Sequence, residues 1–406
     1  MRDKALMMFA VTLMLATSAW ASSETDLYNF NSVSGGTDGY YGYAGLIADK
    51  SGNLYGTTYY GGKGYGVVYQ LTLSGGVWTE TVLHPFAVGT TDGEYPIGGL
   101  VSDKAGNLYG VTYQGGTSNL GTVYELKKSG GGFTFSVIYS FAGYPKDGEY
   151  PYSTSLVFDA KGNLYGTTEY GGSNNLGTIF LLKQSKGAWA ERVLHSFAGT
   201  ADGAYPVAGL TVGKGGFLYG TTYAGGPTYN IGTAYELFQT RGLWVERPIF
   251  TFSGGSSGTH PEAPLALDAT GHLYGTAYQG GSANVGMVYK LTQGKNKKWT
   301  QSVLHNFAGG STDGSYPYFG DGVVLDAKGN VYGASYQGGS TSNYGTVYEL
   351  ALTKGKYKEN ILHAFTGGAT DGCYVRAGLL LLKGNLYGAT FECGAHSGGV
   401  VFEVKP

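Results

Sequence analysis

Six of the chain's seven Asp-Gly pairs fall at equivalent places in a repeat, at Asp38, Asp92, Asp147, Asp202, Asp313 and Asp371. A tyrosine stands three residues after each aspartate: Tyr41, Tyr95, Tyr150, Tyr205, Tyr316 and Tyr374. Pro96, Pro151, Pro206 and Pro317 come next in four of these units. A carboxylate beside an aromatic face suits a sugar ring, and several carboxylates at one mouth suit an oxygen-ligated cation such as calcium. The same residues also have a plainer use, as an Asx turn closed by a left-handed glycine with an aromatic lid. One unit departs from the pattern. Gly258-Thr-His-Pro-Glu262 stands where the Asp-Gly motif is expected, so His260 and Glu262 join the candidate ligand-binding residues. Tyr60, Gln114, Tyr170, Gln279 and Gln337, beside paired glycines, are expected on the same face.

Other chemistry is harder to find. His84, His195, His305 and His363 occupy equivalent Leu-His-x-Phe positions, which Tyr28, Tyr139 and Phe250 fill elsewhere. Exchange with aromatic carbon favours a packing role, and histidines on separate repeats stand too far apart to share an ion with Zn–N bonds of about 2.0–2.1 Å. No His-Glu-x-x-His motif is present. The sequence therefore assigns no catalytic residue, no metal ligand and no cofactor, with calcium the one cation its oxygen ligands would suit.

The elements that must position these residues are repeated. Leu-Tyr-Gly, once Val-Tyr-Gly, places its tyrosine at Tyr55, Tyr109, Tyr165, Tyr219, Tyr274, Tyr332 and Tyr387. Within each unit, short apolar and β-branched runs alternate with Gly, Asn and Asp clusters, which reads as four strands, a to d, with almost no helix. Asp49, Asp103, Asp159, Asp268 and Asp326, each followed three residues on by glycine, mark the a-to-b turn. Seven such units predict an all-β fold, a seven-bladed β-propeller of four-stranded antiparallel blades. A β-solenoid, the competing repeat architecture, has a shorter period. The last unit lacks strand d, and Glu24-Thr-Asp-Leu-Tyr-Asn-Phe30 matches Glu80-Thr-Val-Leu-His-Pro-Phe86, so an N-terminal strand should complete the C-terminal blade.

Residues 1–21 read as a signal peptide: a charged start, the apolar run Ala5 to Ala16, and Ala19-Trp20-Ala21 before the cut. The mature part, 22–406, is expected to be one propeller domain with no membrane span, monomeric, and periplasmic or extracellular. Export permits a disulfide between the only cysteines, Cys373 and Cys393, which a three-residue turn at Leu382-Lys383-Gly384 would set opposite each other.

The pattern Leu-Tyr-Gly-Thr-Thr, Gly-Gly, Gly-Thr-Val-Tyr-Glu-Leu resembles the Gloeo-Verruco (GloVer) tandem repeat of exported bacterial proteins, over essentially the whole mature chain. The resemblance implies export and a repeat scaffold, and brings no catalytic residues. Members often carry a C-terminal surface anchor, and this sequence is expected to lack one. More loosely, Asp-x-x-Gly-Asn-Leu-Tyr is similar to hairpins of NHL-type and gluconolactonase-like propellers.

Only 13% of the 406 residues are charged, and 28 acidic against 26 basic groups leave a net charge of −2. That balance offers no basic surface for nucleic acid. Three functions remain open. The first is a non-catalytic binding scaffold for a glycan or other extracellular component. The second is a carbohydrate-active or lactonase-like propeller enzyme with a carboxylate or metal site in its channel. The third is a structural matrix protein.

Overall fold

The computed structural model describes residues 23–31, 37–152, 155–227, 230–318, 320 and 322–406. The segment read as a signal peptide, 1–21, lies outside them. The described chain forms seven four-stranded antiparallel blades in a ring, a seven-bladed β-propeller. Its helical content among the described residues is two three-residue 3-10 turns, Lys214–Gly216 and Gly255–Ser257. The second blade shows the plan: a, Val101–Ser102; b, Leu108–Thr112; c, Thr122–Ser129; d, Gly132–Ser140.

Each repeated residue has a packing reason. Leu108 is buried, and the Tyr109 hydroxyl donates to Glu125 at 2.8 Å and reaches Asp103 at 3.4 Å. A Cβ on Gly110 would lie within 2.4 Å of the Tyr124 hydroxyl, so glycine lets the strand-c ring cross strand b. Asp103 accepts hydrogen bonds from the N–H groups of Ala105 and Asn107, as a tight a-to-b turn requires. The core is distributed as seven apolar clusters, one at each junction between blades. Between the first and second blades it comprises Tyr55, Phe86, Leu100, Leu108, Tyr124 and Leu126 among others. Burying such a side chain contributes about 1.5–3 kcal/mol, so the blades are held chiefly by one another.

The seventh blade takes three strands from one end of the chain, Leu380–Leu382, Asn385–Cys393 and Ser397–Lys405. Its fourth is Ser23–Asn31, which pairs Ser23 with Lys405 and Asn29 with Val400. The ring is thus closed by the expected strand.

Two local features differ from the sequence expectation. The innermost strand is longer than expected and interrupted. In the second blade Gly93–Glu94 pairs with Gln114–Gly115, the chain bulges at Tyr95-Pro96, and strand a then resumes at Val101. The cysteine hairpin also turns on two residues, with Leu382 facing Asn385 and positive φ at Lys383 and Gly384. Cys373 consequently faces Glu392, and Gly372 faces Cys393, one residue out of the expected register. The disulfide forms nonetheless, across a Cα separation of 5.4 Å. Cys393 has φ 67°, and this left-handed turn swings its side chain back toward Cys373.

Strand d carries a bulge as well. In the first blade Val68 faces His84 and Tyr69 faces Val82, so Leu83 is extra. In an unbulged strand Glu80 and His84 would share one face. With the bulge, Glu80 faces Asp38 and Tyr28 on one side, while His84 stacks on Phe135 of the second blade on the other.

Candidate functional site

The six loop aspartates turn back into their own loops. Asp147 accepts hydrogen bonds from the Tyr139 hydroxyl, Ala142 N–H and Gly148 N–H, all at 2.7 Å. Asp92, Asp202, Asp313 and Asp371 do the same with a strand-d histidine and a backbone N–H, and Asp38 with Tyr28 and Asn31. Burial would raise the carboxyl of Asp371, but the bonds from His363 and Thr366 outweigh it and hold it below the usual value.

The tyrosine that follows is a junction residue. Tyr41, Tyr95, Tyr150, Tyr205, Tyr316 and Tyr374 all have left-handed φ, between 53° and 65°. Such backbone costs an L-residue roughly 1–3 kcal/mol unless its surroundings hold it there. Here they do. Tyr95 N–H donates to Tyr65 C=O of the first blade, and Tyr95 C=O accepts from Tyr113 N–H of its own blade. Tyr150, Tyr205 and Tyr316 repeat both bonds. Each ring also meets an aromatic at the end of strand b in the preceding blade. Tyr41 stacks on Phe391 at 4.6 Å, Tyr95 on Tyr59 at 5.0 Å and Tyr374 on Tyr336 at 5.0 Å.

His260 occupies this tyrosine position in the fifth blade, not the aspartate position. Its φ is 50°, its backbone bonds match, and its ring lies 4.5 Å from Tyr223. Ser257 stands in for the aspartate, its hydroxyl accepting from Ser253 N–H. Glu262 accordingly belongs to a further ring, two residues past the tyrosines, which the sequence analysis did not single out. Its members are Tyr43, Ile97, Tyr152, Val207, Glu262, Tyr318 and Arg376.

Tyr43, Tyr152, Glu262, Tyr318 and Arg376 come together at the axis of the ring. The hydroxyls of Tyr43 and Tyr152 are 2.8 Å apart although the residues belong to the first and third blades. The Arg376 guanidinium lies 4.0 Å from the Phe391 ring centre and 5.2–5.4 Å from those of Tyr318, Tyr336 and Tyr43. Glu262 is buried, with Oε2 lacking a hydrogen-bond partner, and burial pushes its carboxyl up to about 8. Burial likewise raises Glu169, at the end of strand b in the third blade, to about 7. Burial lowers the His260 imidazole. The axial cluster therefore sets aromatic faces and phenols around the Arg376 guanidinium and two carboxyls raised by burial, with Tyr43 and Glu262 almost wholly buried. It can stack on a ring, donate and accept hydrogen bonds, and exchange a proton at Glu262. One signal was available in the sequence: a Tyr-x-Tyr spacing in three units, with Arg376 and Glu262 at the equivalent position of two others.

Among the described residues, three groups could hold a metal: His195 with Asp202 and Glu246; His305 with Asp313 and Glu359; and Glu24 with His363 and Asp371. No two histidines share a group.

The fold recurs in solved structures. A candidate 6-phosphogluconolactonase from Bacteroides uniformis matches with TM-score 0.52 at 16% identity, over 78% of this chain and 83% of that one. PorZ from Porphyromonas gingivalis, a bacterial surface component of the type-IX secretion system, matches with TM-score 0.53 at 14% identity, over 89% of this chain and 46% of that one. At such identity these likenesses concern the fold alone. No curated protein matches the sequence. The Gloeobacter/Verrucomicrobia repeat matches residues 17–235 and 213–406, and the chain belongs to that family.

Proposed function

We propose that the chain is an exported, non-catalytic binding module that takes a glycan or other extracellular component at its tyrosine-lined axial mouth. The observation that carries this reading is the mouth itself, where Tyr43, Tyr152, Tyr318, Tyr336 and Phe391 gather around Arg376 with Glu262 beside them. Aromatic faces cover the apolar side of a sugar ring, while phenols, a guanidinium and a carboxyl hydrogen-bond its hydroxyls. The loop tyrosines brace these rings from behind. The loop aspartates brace the loops. A glycan array probed with and without calcium tests the reading. Binding that is independent of calcium and lost in Tyr336→Ala supports it, and no binding in either condition overturns it.

One observation favours a second reading, the channel enzyme. Glu262 is a buried carboxyl raised to about 8, as a general acid requires. Sugar-lactone hydrolysis that disappears in Glu262→Gln would favour this reading over the first.

A further inference from the structure

Three junctions between blades carry chemistry that the axial mouth does not use. They lie between the third and fourth, fifth and sixth, and sixth and seventh blades. In each, a strand-d histidine and loop aspartate of one blade meet a strand-d glutamate of the next. One nitrogen and two carboxylate oxygens fall within 4.8 Å of one another in every group. His305 Nε2 is 3.3 Å from Asp313 Oδ1 and 3.5 Å from Glu359 Oε1. His195 Nε2 and His363 Nε2 are each 3.2 Å from their aspartates. Ligands about 2.0–2.1 Å from a tetrahedral Zn²⁺ stand roughly 3.3 Å apart. Glu24 Oε1, Glu246 Oε1, Glu359 Oε1 and Asp202 Oδ1 are also buried without a hydrogen-bond partner. Carboxylates that face each other out of water need a proton or a cation between them.

At the other four junctions the set changes by one member or by all three. Where Phe135 replaces the glutamate, His84 lies flat on its ring, 3.7 Å between centres. Where Ser257 replaces the aspartate, Phe250 replaces the histidine and Gln301 replaces the glutamate, its amide donating to Ser257 C=O at 2.9 Å. Where Tyr28 and Tyr139 replace the histidine, the phenol donates to the aspartate at 3.0 and 2.7 Å.

We propose that the three His/Asp/Glu junctions each bind a divalent transition-metal ion of the Zn²⁺ class, through one imidazole nitrogen and two carboxylates. Imidazole selects such ions over calcium, whose sites are built from oxygen. Each ion joins two blades. At the sixth junction it ties Glu24, on the strand that closes the ring, to the sixth blade.

The test uses the chain without a histidine tag, stripped with chelator. It is titrated with ZnCl₂ by calorimetry and with CoCl₂ by visible absorption. The expected result is three ions per chain, with a Co²⁺ ligand-field band and a higher thermal midpoint. The triple variant His195→Tyr, His305→Tyr, His363→Tyr copies the exchange seen at Tyr28 and Tyr139, and should lose all three ions while remaining folded. Glu24→Gln, Glu246→Gln, Glu359→Gln gives the same readout from the other ligand should the first variant fail to fold. Absence of binding in the wild-type chain, or unchanged stoichiometry in a folded variant, overturns the proposal.

Discussion

Two positions in the same loop, five residues apart, behave in opposite ways. The first is aspartate in six of seven units, and its carboxylate always turns into its own loop. The second points at the axis and holds five residue types in seven places: Tyr43, Ile97, Tyr152, Val207, Glu262, Tyr318 and Arg376. Positions that hold the ring together obey the repeat because every junction makes the same demand. Positions facing the axis meet no repeated neighbour, so they are free to differ and to form one asymmetric site from symmetric blades.

The comparison can be broken most severely at the first position. Asp147→Ala strands a half-buried phenol and two backbone N–H groups. It should cost roughly 4 kcal/mol, read as a lower midpoint in urea, because each unsatisfied donor costs about 1–3 kcal/mol. Next comes the disulfide, which joins loop and strand b in the closing blade. Cys373→Ser with Cys393→Ser should cost roughly 3 kcal/mol, checked by thermal denaturation. An effect at Asp147 no larger than that at an exposed lysine would remove the distinction between the two positions.

Acidity sharpens the same contrast. Burial, with Asp38 and Asp147 beside them, pushes Glu80 and Glu191 up to about 8 from 4.5. A carboxyl that keeps its proton in the fold but loses it when unfolded contributes stability that is full below pH 4.5. That contribution falls away as the pH rises through about 8. The thermal midpoint should therefore decline between pH 5 and pH 9, and Glu80→Gln with Glu191→Gln should flatten the decline. A midpoint that climbs across this range would contradict the assignment.

How much of this was legible in the sequence follows from which features are local. The Leu-Tyr-Gly period, the Asp103-type turn and the match of Glu24–Phe30 to Glu80–Phe86 are short-range patterns, and the ring and its closing strand followed from them. Side-chain direction was less accessible, because bulges reset it. The left-handed turns at Tyr41, Tyr150 and Tyr374 aim Tyr43, Tyr152 and Arg376 along the axis, where plain alternation says nothing of them. The extra Leu83 sends His84 and Glu80 to opposite junctions, which hid the meeting of histidine with the next blade's glutamate. Cys393 shows the converse: the register was one residue off, and a left-handed backbone restored the pairing. Alignment on the missing Asp-Gly puts His260 in the aspartate's place, whereas the proline that follows it, Pro261, marks it as the tyrosine's counterpart.

The smallest stability effect is expected at the mouth, and there the account is most exposed. Tyr336→Ala removes a ring that packs on Tyr318, Tyr374 and Arg376, and should lower the midpoint by only about 1 kcal/mol. The decisive measurement is a glycan-array profile of the wild-type chain beside Tyr336→Ala and Asp147→Asn, each first shown to be folded by far-ultraviolet circular dichroism. The account predicts that Tyr336→Ala abolishes binding at near-native stability, while Asp147→Asn is destabilised and still binds. Retained binding in Tyr336→Ala, or loss confined to Asp147→Asn, would contradict it.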